Sequence, residues 1–372
     1  SFPTGLRNEN NFLLDKENWP DQTILPQQGI LVEDHAYCDL IDFGENNQIR
    51  SDSDSCDACN TQMTCEWLEA NTSGDYNVAL GHAAGASNTT GGNNTFVGMG
   101  AGRASTTASS NTFIGMEAAT VNTTGEVNTF VGHRAGYSNT TASSNTFLGT
   151  FTGNSNTTGS KNIAIGNNAL DGSDTENHNL AIGYDALGGA IAGGEYNVAI
   201  GNYSLDALTS GDYNTAIGYN TLTANTSGYN NTAVGRKSLY SNTSGGDNTA
   251  AGDQALSLNT TGNYNSAFGT LALQDNISGS GNTAFGRRAL ENNTSSSNTG
   301  VGYYAGDLIT SGSQNTIIGR DADVSSNSGT NQTVIGYDAL GQGNNTVTLG
   351  DGNVTAVYMS DDKGATVYAA GM

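Results

Sequence analysis

Charge and proline are both scarce in this chain. Only 13% of its 372 residues are Asp, Glu, Lys or Arg, and three are Pro; ordinary chains carry about a quarter charged residues. Basic side chains are scarcer still, 12 against 35 acidic ones, for a formal net charge of −23. That balance speaks against a nucleic-acid partner, because a phosphate backbone needs a basic patch. It speaks equally against anionic lipid. No apolar run approaches the roughly 18 residues of a membrane span. Catalytic signatures are missing too: there is no G-x-S-x-G elbow, no Walker loop and no H-E-x-x-H. The chain opens on Ser1 rather than an initiator Met, as a mature end would.

Cysteine is confined to Cys38, Cys56, Cys59 and Cys65. An even number, clustered in a polar segment, predicts disulfides in an oxidising compartment. The rival reading is a metal site, since C-D-A-C is a CxxC. A zinc site would show a second CxxC or a spaced His pair, and Cys38 stands alone. The histidines His35, His82, His133 and His178 share no ligand spacing and read as surface residues. D-S-D-S-C-D-A from Asp52 lacks the Gly and distal Glu of an EF-hand. No metal or cofactor is expected.

What the chain has in abundance is Gly, 51 of them, with Asn, Thr and Ser, and these are periodic. Periodicity separates it from disordered polar tracts. NTAIGYNTLTANTSGYN starts at Asn214, NTAVGRKSLYSNTSGGD at Asn231 and NTAAGDQALSLNTTGNY at Asn248. With the glycine of each A-I-G box as anchor, the repeat runs Gly81, Gly98, Gly115, Gly132, Gly149, Gly166 and Gly183, in steps of 17. It resumes at Gly201, Gly218, Gly235, Gly252, Gly269 and Gly286, then Gly302, Gly319 and Gly336, with a degenerate copy at Gly350. The box N-[TV]-[AF]-[IVLF]-G suits a buried strand of four or five residues. The tail N-T-[ST]-G suits a turn, with Asn in the left-handed region and Gly supplying positive φ. One such unit cannot bury its own apolar face, so units must stack as a parallel β-solenoid. About sixteen steps at ~4.8 Å would make a rod of roughly 75–80 Å.

The copies also vary together. Two residues before the anchor stand Phe96, Phe113, Phe130 and Phe147; four residues after it the same coils have Gly102, Ala119, Gly136 and Gly153. From Gly166 to Gly286 the sizes are exchanged, as in Ala216 with Leu222. A constant summed volume places both positions in one close-packed layer. The residue just before the anchor, such as Val97, Ile114, Ile217 or Val234, is apolar too and must face the other way. A lone thin solenoid buries one face only, so the second face predicts a coaxial homotrimer. An Asn four residues before the anchor, as at Asn214, Asn231 and Asn248, predicts an amide ladder. Tail asparagines such as Asn88, Asn122, Asn139, Asn225, Asn242 and Asn259 begin N-x-[ST] sequons, which turn formation also explains.

The box N-[ST]-[AV]-[IV]-G, with Ala two residues on, resembles the head repeats of trimeric autotransporter adhesins, the YadA-like heads. With its longer N-T-[ST]-G tail, the repeat looks still more like those of phage tail fibres and surface proteins ending in an endosialidase-type chaperone domain. The resemblance covers roughly residues 71–357, and the period is longer than in the adhesin heads. It implies a left-handed β-roll, three chains to a rod, that binds host matrix or other surfaces.

The expected organisation is a Cys-containing module over 1–70, a rod over 71–350 and a strand-like cap or junction over 351–372. The expected function is structural: an extracellular fibre or adhesin-like stalk at a cell surface, with a phage tail-fibre shaft as the alternative. Its partners are then itself and an outside glycan or protein. V-T-A-V-Y-M and A-T-V-Y-A-A near the end read as strands seeking a sheet, which suggests head-to-tail joining onto residues 1–70. A glycan-hydrolysing spike would need two placed carboxylates, for which Asp253 and Glu291 are candidates. Ice binding would need flat Thr rows, and the tail Thr residues sit in turns.

Overall fold

The computed structural model describes residues 67–357 and the backbone of two short antiparallel strands, β1 (Ile41–Phe43) and β2 (Ile49–Ser51). The four cysteines, His35 and residues 358–372 lie outside the described residues, and with them the disulfide and end-joining expectations. By contacts the chain divides into two compact units, one ending at Glu195 and one beginning at Tyr196. Both are parallel β-solenoid, about sixteen turns of roughly seventeen residues in all, with no helix among the described residues.

Each box yields one strand. The first unit stacks β3 (Val78–Leu80), β4 (Thr95–Val97), β5 (Thr112–Ile114), β6 (Thr129–Val131), β7 (Thr146–Leu148), β8 (Ile163–Ile165) and β9 (Leu180–Ile182). The second stacks β10 (Val198–Ile200), β11 (Thr215–Ile217), β12 (Thr232–Val234), β13 (Thr249–Ala251), β14 (Ser266–Phe268) and β15 (Thr283–Phe285). It continues with β16 (Thr299–Val301), β17 (Thr316–Ile318), β18 (Thr333–Ile335) and β19 (Val347–Leu349). Within a unit every strand pairs in parallel with the next, and equivalent residues face each other, as Ala216 faces Ala233. The strands are three residues long rather than the four or five expected. Their ends are fixed by the box itself. Asn turns its side chain into the coil on one side, and on the other the anchor glycine leaves the strand region at φ between 127° and 146° from Gly81 to Gly336.

The interior is built from the same few positions in every coil. Ala216 and Leu222 are both fully buried, as are Phe113 and Ala119 in a coil of the other type. A row of Ala, Ser and Thr three residues after the anchor lies beside them, including Ala118, Thr221 and Ser238. The shared layer is direct: a Cβ on Gly102 would stand 2.5 Å from the Phe96 ring, so the glycine makes room for the phenyl. Phe96, Phe113, Phe130 and Phe147 stack on one another, their centroids 5.7, 5.2 and 4.7 Å apart in turn. At Gly300 and Gly306 one coil has both positions small. There Leu290 and Ile317 of the flanking coils fill the space, within 2.7 and 2.8 Å of a Cβ placed on Gly306.

Left-handed backbone falls elsewhere than the tail. It occurs two and four residues after the anchor and one residue before the box Asn, as at Asn220 (φ 54°), Leu222 (φ 52°) and Tyr213 (φ 57°). The tail asparagines are not left-handed, because each side chain points inward. The tail glycine is needed for a close approach instead. A Cβ on Gly228 would strike the carbonyl of Gly245 in the next coil and the Asn225 amide. At the other end of the described chain, residues 354–357 form no strand. Val354 instead turns back, its N–H donating to the Asp351 carbonyl at 3.2 Å.

Candidate functional site

Alternation along each three-residue strand gives the solenoid a two-column outer face. In β11 and β12 the middle residues, Ala216 and Ala233, have no exposure, whereas Ile217 and Val234 are 38% and 39% exposed. In the second unit this outward row runs Ile200, Ile217, Val234, Ala251, Phe268 and Phe285, then on through Val301, Ile318, Ile335 and Leu349. Beside it stands a second outward column, Thr215, Thr232, Thr249, Ser266, Thr283, Thr299, Thr316 and Thr333, in register from coil to coil. The first unit repeats the pattern with Thr95, Thr112, Thr129 and Thr146. The interior behind this face is already filled, so the coil cannot take the outward apolar row inside. Monomeric proteins seldom leave so long an apolar strip to water.

The asparagines predicted as a ladder serve the coil's own structure. The backbone N–H of Asn231 donates to Asn214 Oδ1 at 3.1 Å, and that of Asn248 donates to Asn231 Oδ1 at 3.1 Å. Each Nδ2 also crosses its own coil, from Asn231 to the Gly245 carbonyl at 2.8 Å and from Asn248 to that of Gly262 at 2.8 Å. Sequence reasoning missed a second ladder beside the first, the two sharing acceptors such as the Gly245 carbonyl. Asn242 Nδ2 donates to Asn225 Oδ1 and to the Gly245 carbonyl, both at 2.9 Å. These are the sequon asparagines. Asn88, Asn122, Asn139, Asn225, Asn242 and Asn259 have no exposure, so in the folded chain none offers its amide to a glycan. The signal was present: a polar residue recurring at a fixed position every turn is a buried-amide row as readily as a turn. The tail Thr hydroxyls are committed as well, Thr226 Oγ1 donating to the Thr243 carbonyl at 3.0 Å.

Anchor glycines Gly218, Gly235 and Gly252 form a column in the second unit where successive coils touch backbone to backbone, and Gly166 meets Gly183 in the same way in the first. The carboxylates considered for hydrolysis sit in ion pairs: Asp253 with Arg236 at 2.9 Å and Glu291 with Arg288 at 3.5 Å. They belong to different coils and different positions of the repeat. His133 packs edge-on against Phe151, with centroids 5.0 Å apart. Among the described residues no group of three or more His, Cys, Asp or Glu is placed to hold a metal ion.

Two acids depart from the pattern. Glu176 takes the buried place of a tail glycine, with Ser173 where the tail Asn would be. It accepts hydrogen bonds from Ser173 Oγ at 2.9 Å, from the Asp174 and Thr175 N–H groups at 3.0 Å each, and from the Gly193 N–H at 3.0 Å. Burial opposes its charge, but these donors outweigh it and hold the carboxyl below its ordinary value. Its bond from the Gly193 N–H ties it to the next coil, which carries an extra residue between Gly183 and Gly201.

Asp323 stands where other coils have Leu222 or Gly102. Burial pushes its carboxyl up to about 7, against the N–H groups of Leu308 and Val324, each bonded at 2.8 Å; the neighbouring Asp307 adds to the rise. A folded value above the unfolded one means that the native state holds the proton more tightly. The stabilisation is then complete below the unfolded value of 3.8 and is lost as pH climbs toward about 7. The melting temperature of the second unit should therefore fall over that window. Asp323→Asn should flatten the profile, and an unchanged profile in that variant would refute the assignment.

No family model matches the chain, and no curated protein matches it.

Proposed function

We propose that the chain is the structural stalk of an extracellular or virion-surface fibre, a parallel homotrimer of left-handed coils joined along the outward Ile/Val face. The observation that supports this most is that unbroken apolar row, set in front of an interior that is already full. A second and third copy of the same chain suit it better than any other occupant, because they repeat at the same pitch. Every coil then meets its equivalent at the same height, and a closed cyclic arrangement covers the strip on each chain. Three chains rather than two follow the resemblance of the N-T-A-I-G box to trimeric adhesin heads. A chain rich in Thr and Ser with a net charge of −23 fits service outside a cell.

Sedimentation of the full chain tests the reading. The expected mass is three times 38.2 kDa. Ile217→Asp with Val234→Asp should dissociate the trimer and leave the β signal in circular dichroism unchanged, since both side chains point out of the coil. A monomeric wild type would sink the proposal.

The same face supports one other reading. The Thr column lies on strands beside an apolar column, and not only in turns, which is the arrangement ordered ice-facing water requires. A monomer showing thermal hysteresis would favour ice binding over the trimer, because one face cannot serve both.

A further inference from the structure

The residues just past the anchor glycine bring a different chemistry to the second unit. Read coil by coil, that position is Arg287, Tyr303, Arg320 and Tyr337, an alternation of guanidinium and phenol along the stack. The groups are in contact. Arg287 lies over the Tyr303 ring at 5.5 Å, and its Nη1 donates to Tyr303 Oη at 3.1 Å. Arg320 lies between two rings, 5.6 Å from the centroid of Tyr303 and 5.6 Å from that of Tyr337. One position further along, Arg288 covers Tyr304 at 5.3 Å. Tyr337 is 61% exposed and Tyr303 40%, so the column is a surface feature.

Its charge is also out of keeping with the chain. Three of the 12 basic residues of a molecule with net charge −23 gather here. Arg288 has Glu291 at 3.5 Å and Arg320 has Asp321 at 2.9 Å, but Arg287 forms no ion pair among the described residues. Arg287 spends Nη1 on Tyr303 Oη and Arg320 spends Nε on Asp321 Oδ2 at 2.9 Å, which leaves each guanidinium with further N–H donors for a carboxylate. Tyr337, with Arg320 over its ring and most of its surface exposed, keeps ring surface for the C–H side of a sugar.

We propose that this column is a docking strip for a linear acidic glycan carrying a carboxylate on each sugar. Arg287 and Arg320 stand two coil steps apart, ~9.6 Å, close to the length of two sugar residues, so alternate uronates can meet the two arginines. A nucleic-acid duplex carries a charge every ~1.7 Å, too dense for a strip flanked by Asp307, Asp321 and Asp338. The inference rests on the outward-facing stalk reading but not on the number of chains.

Calorimetric titration of the full chain with oligogalacturonate, neutral dextran, dextran sulfate and duplex DNA provides the test. Oligogalacturonate should bind and neutral dextran should not. Arg287→Gln with Arg320→Gln should weaken binding roughly tenfold per arginine. Tyr303→Phe should retain binding, and Tyr303→Ala should lose it. Circular dichroism checks the fold of each variant; should the double variant misfold, Arg320→Lys keeps the charge, removes the fork and should still bind more weakly. No binding by the wild type, undiminished binding by the folded arginine variants, or equal binding of dextran sulfate or DNA would overturn the proposal. Sedimentation of the same variants should not change, so failure here is separable from failure of the trimer.

Discussion

Gly235→Ala should be among the most damaging single-methyl changes this fold can suffer, lowering stability by about 2–6 kcal/mol. Two independent causes act at that carbon. The backbone there has φ 127°, outside the range an L side chain adopts without strain. An added Cβ would also stand 2.5 Å from the carbonyl oxygen of Gly252 and 2.7 Å from its carbon, and that backbone is fixed by the strand pairing above it. The coil can relieve the overlap only by lifting away from its neighbour, and lifting breaks the hydrogen bonds by which coils stack. Gly281→Ala separates the two causes. Gly281 has φ 68° but nothing within 4 Å of its Cβ position, and Asn230 and Tyr264 occupy the equivalent place in other coils. Its loss should be about 1–2 kcal/mol, the cost of the left-handed backbone alone. Urea unfolding of both variants compares them directly; equal losses would mean that contact between glycines is not what the column provides.

The coil was legible in the sequence because its period is set by stacking, and a residue that stacks on its own copy must recur. The exchange of large and small residues placed Phe113 with Ala119 and Ala216 with Leu222 for the same reason: the interior volume is fixed, so one side chain reports on the other. Backbone conformation was less legible. Leucine gives no hint of a left-handed residue, yet Leu222 adopts φ 52°. Gly102, Gly136 and Gly153 at the same position were the clue, hidden because their small size had a sufficient explanation in packing. The tail asparagines misled in the opposite direction. Asn is so common in turns that a local role accounted for it, whereas Asn225 and Asn242 reach along the stack to each other. The Arg–Tyr column could be seen only after the repeats were aligned, since Arg287 and Arg320 are far apart in the chain and share only their place after an anchor glycine.

Leu222→Gly should cost about 2–5 kcal/mol, the range for removing a large buried aliphatic side chain. Glycine does bring one gain at this site, because it accepts φ 52° without strain. The loss should accordingly fall in the lower half of that range. Ala216→Phe added to it should recover most of the deficit. A phenyl two residues before the anchor already lies over a glycine four residues after it in the coils of Phe130 with Gly136 and Phe147 with Gly153. The neighbours tolerate the mixture as well, for the natural chain pairs the strand of Phe147 directly with that of Ala164, whose coil carries Leu170. What the engineered coil lacks is a phenyl above and below, so the ring stacking between Phe113, Phe130 and Phe147 is absent and about 0.5–1.5 kcal/mol should remain unrecovered. Ala216→Phe alone, with Leu222 kept, should be worse than either, because the layer then holds two large side chains in the volume of one. Thermal unfolding of the three variants gives the coupling between the positions. A double variant no more stable than Leu222→Gly would mean that the volume lost at one position is not the volume filled from the other.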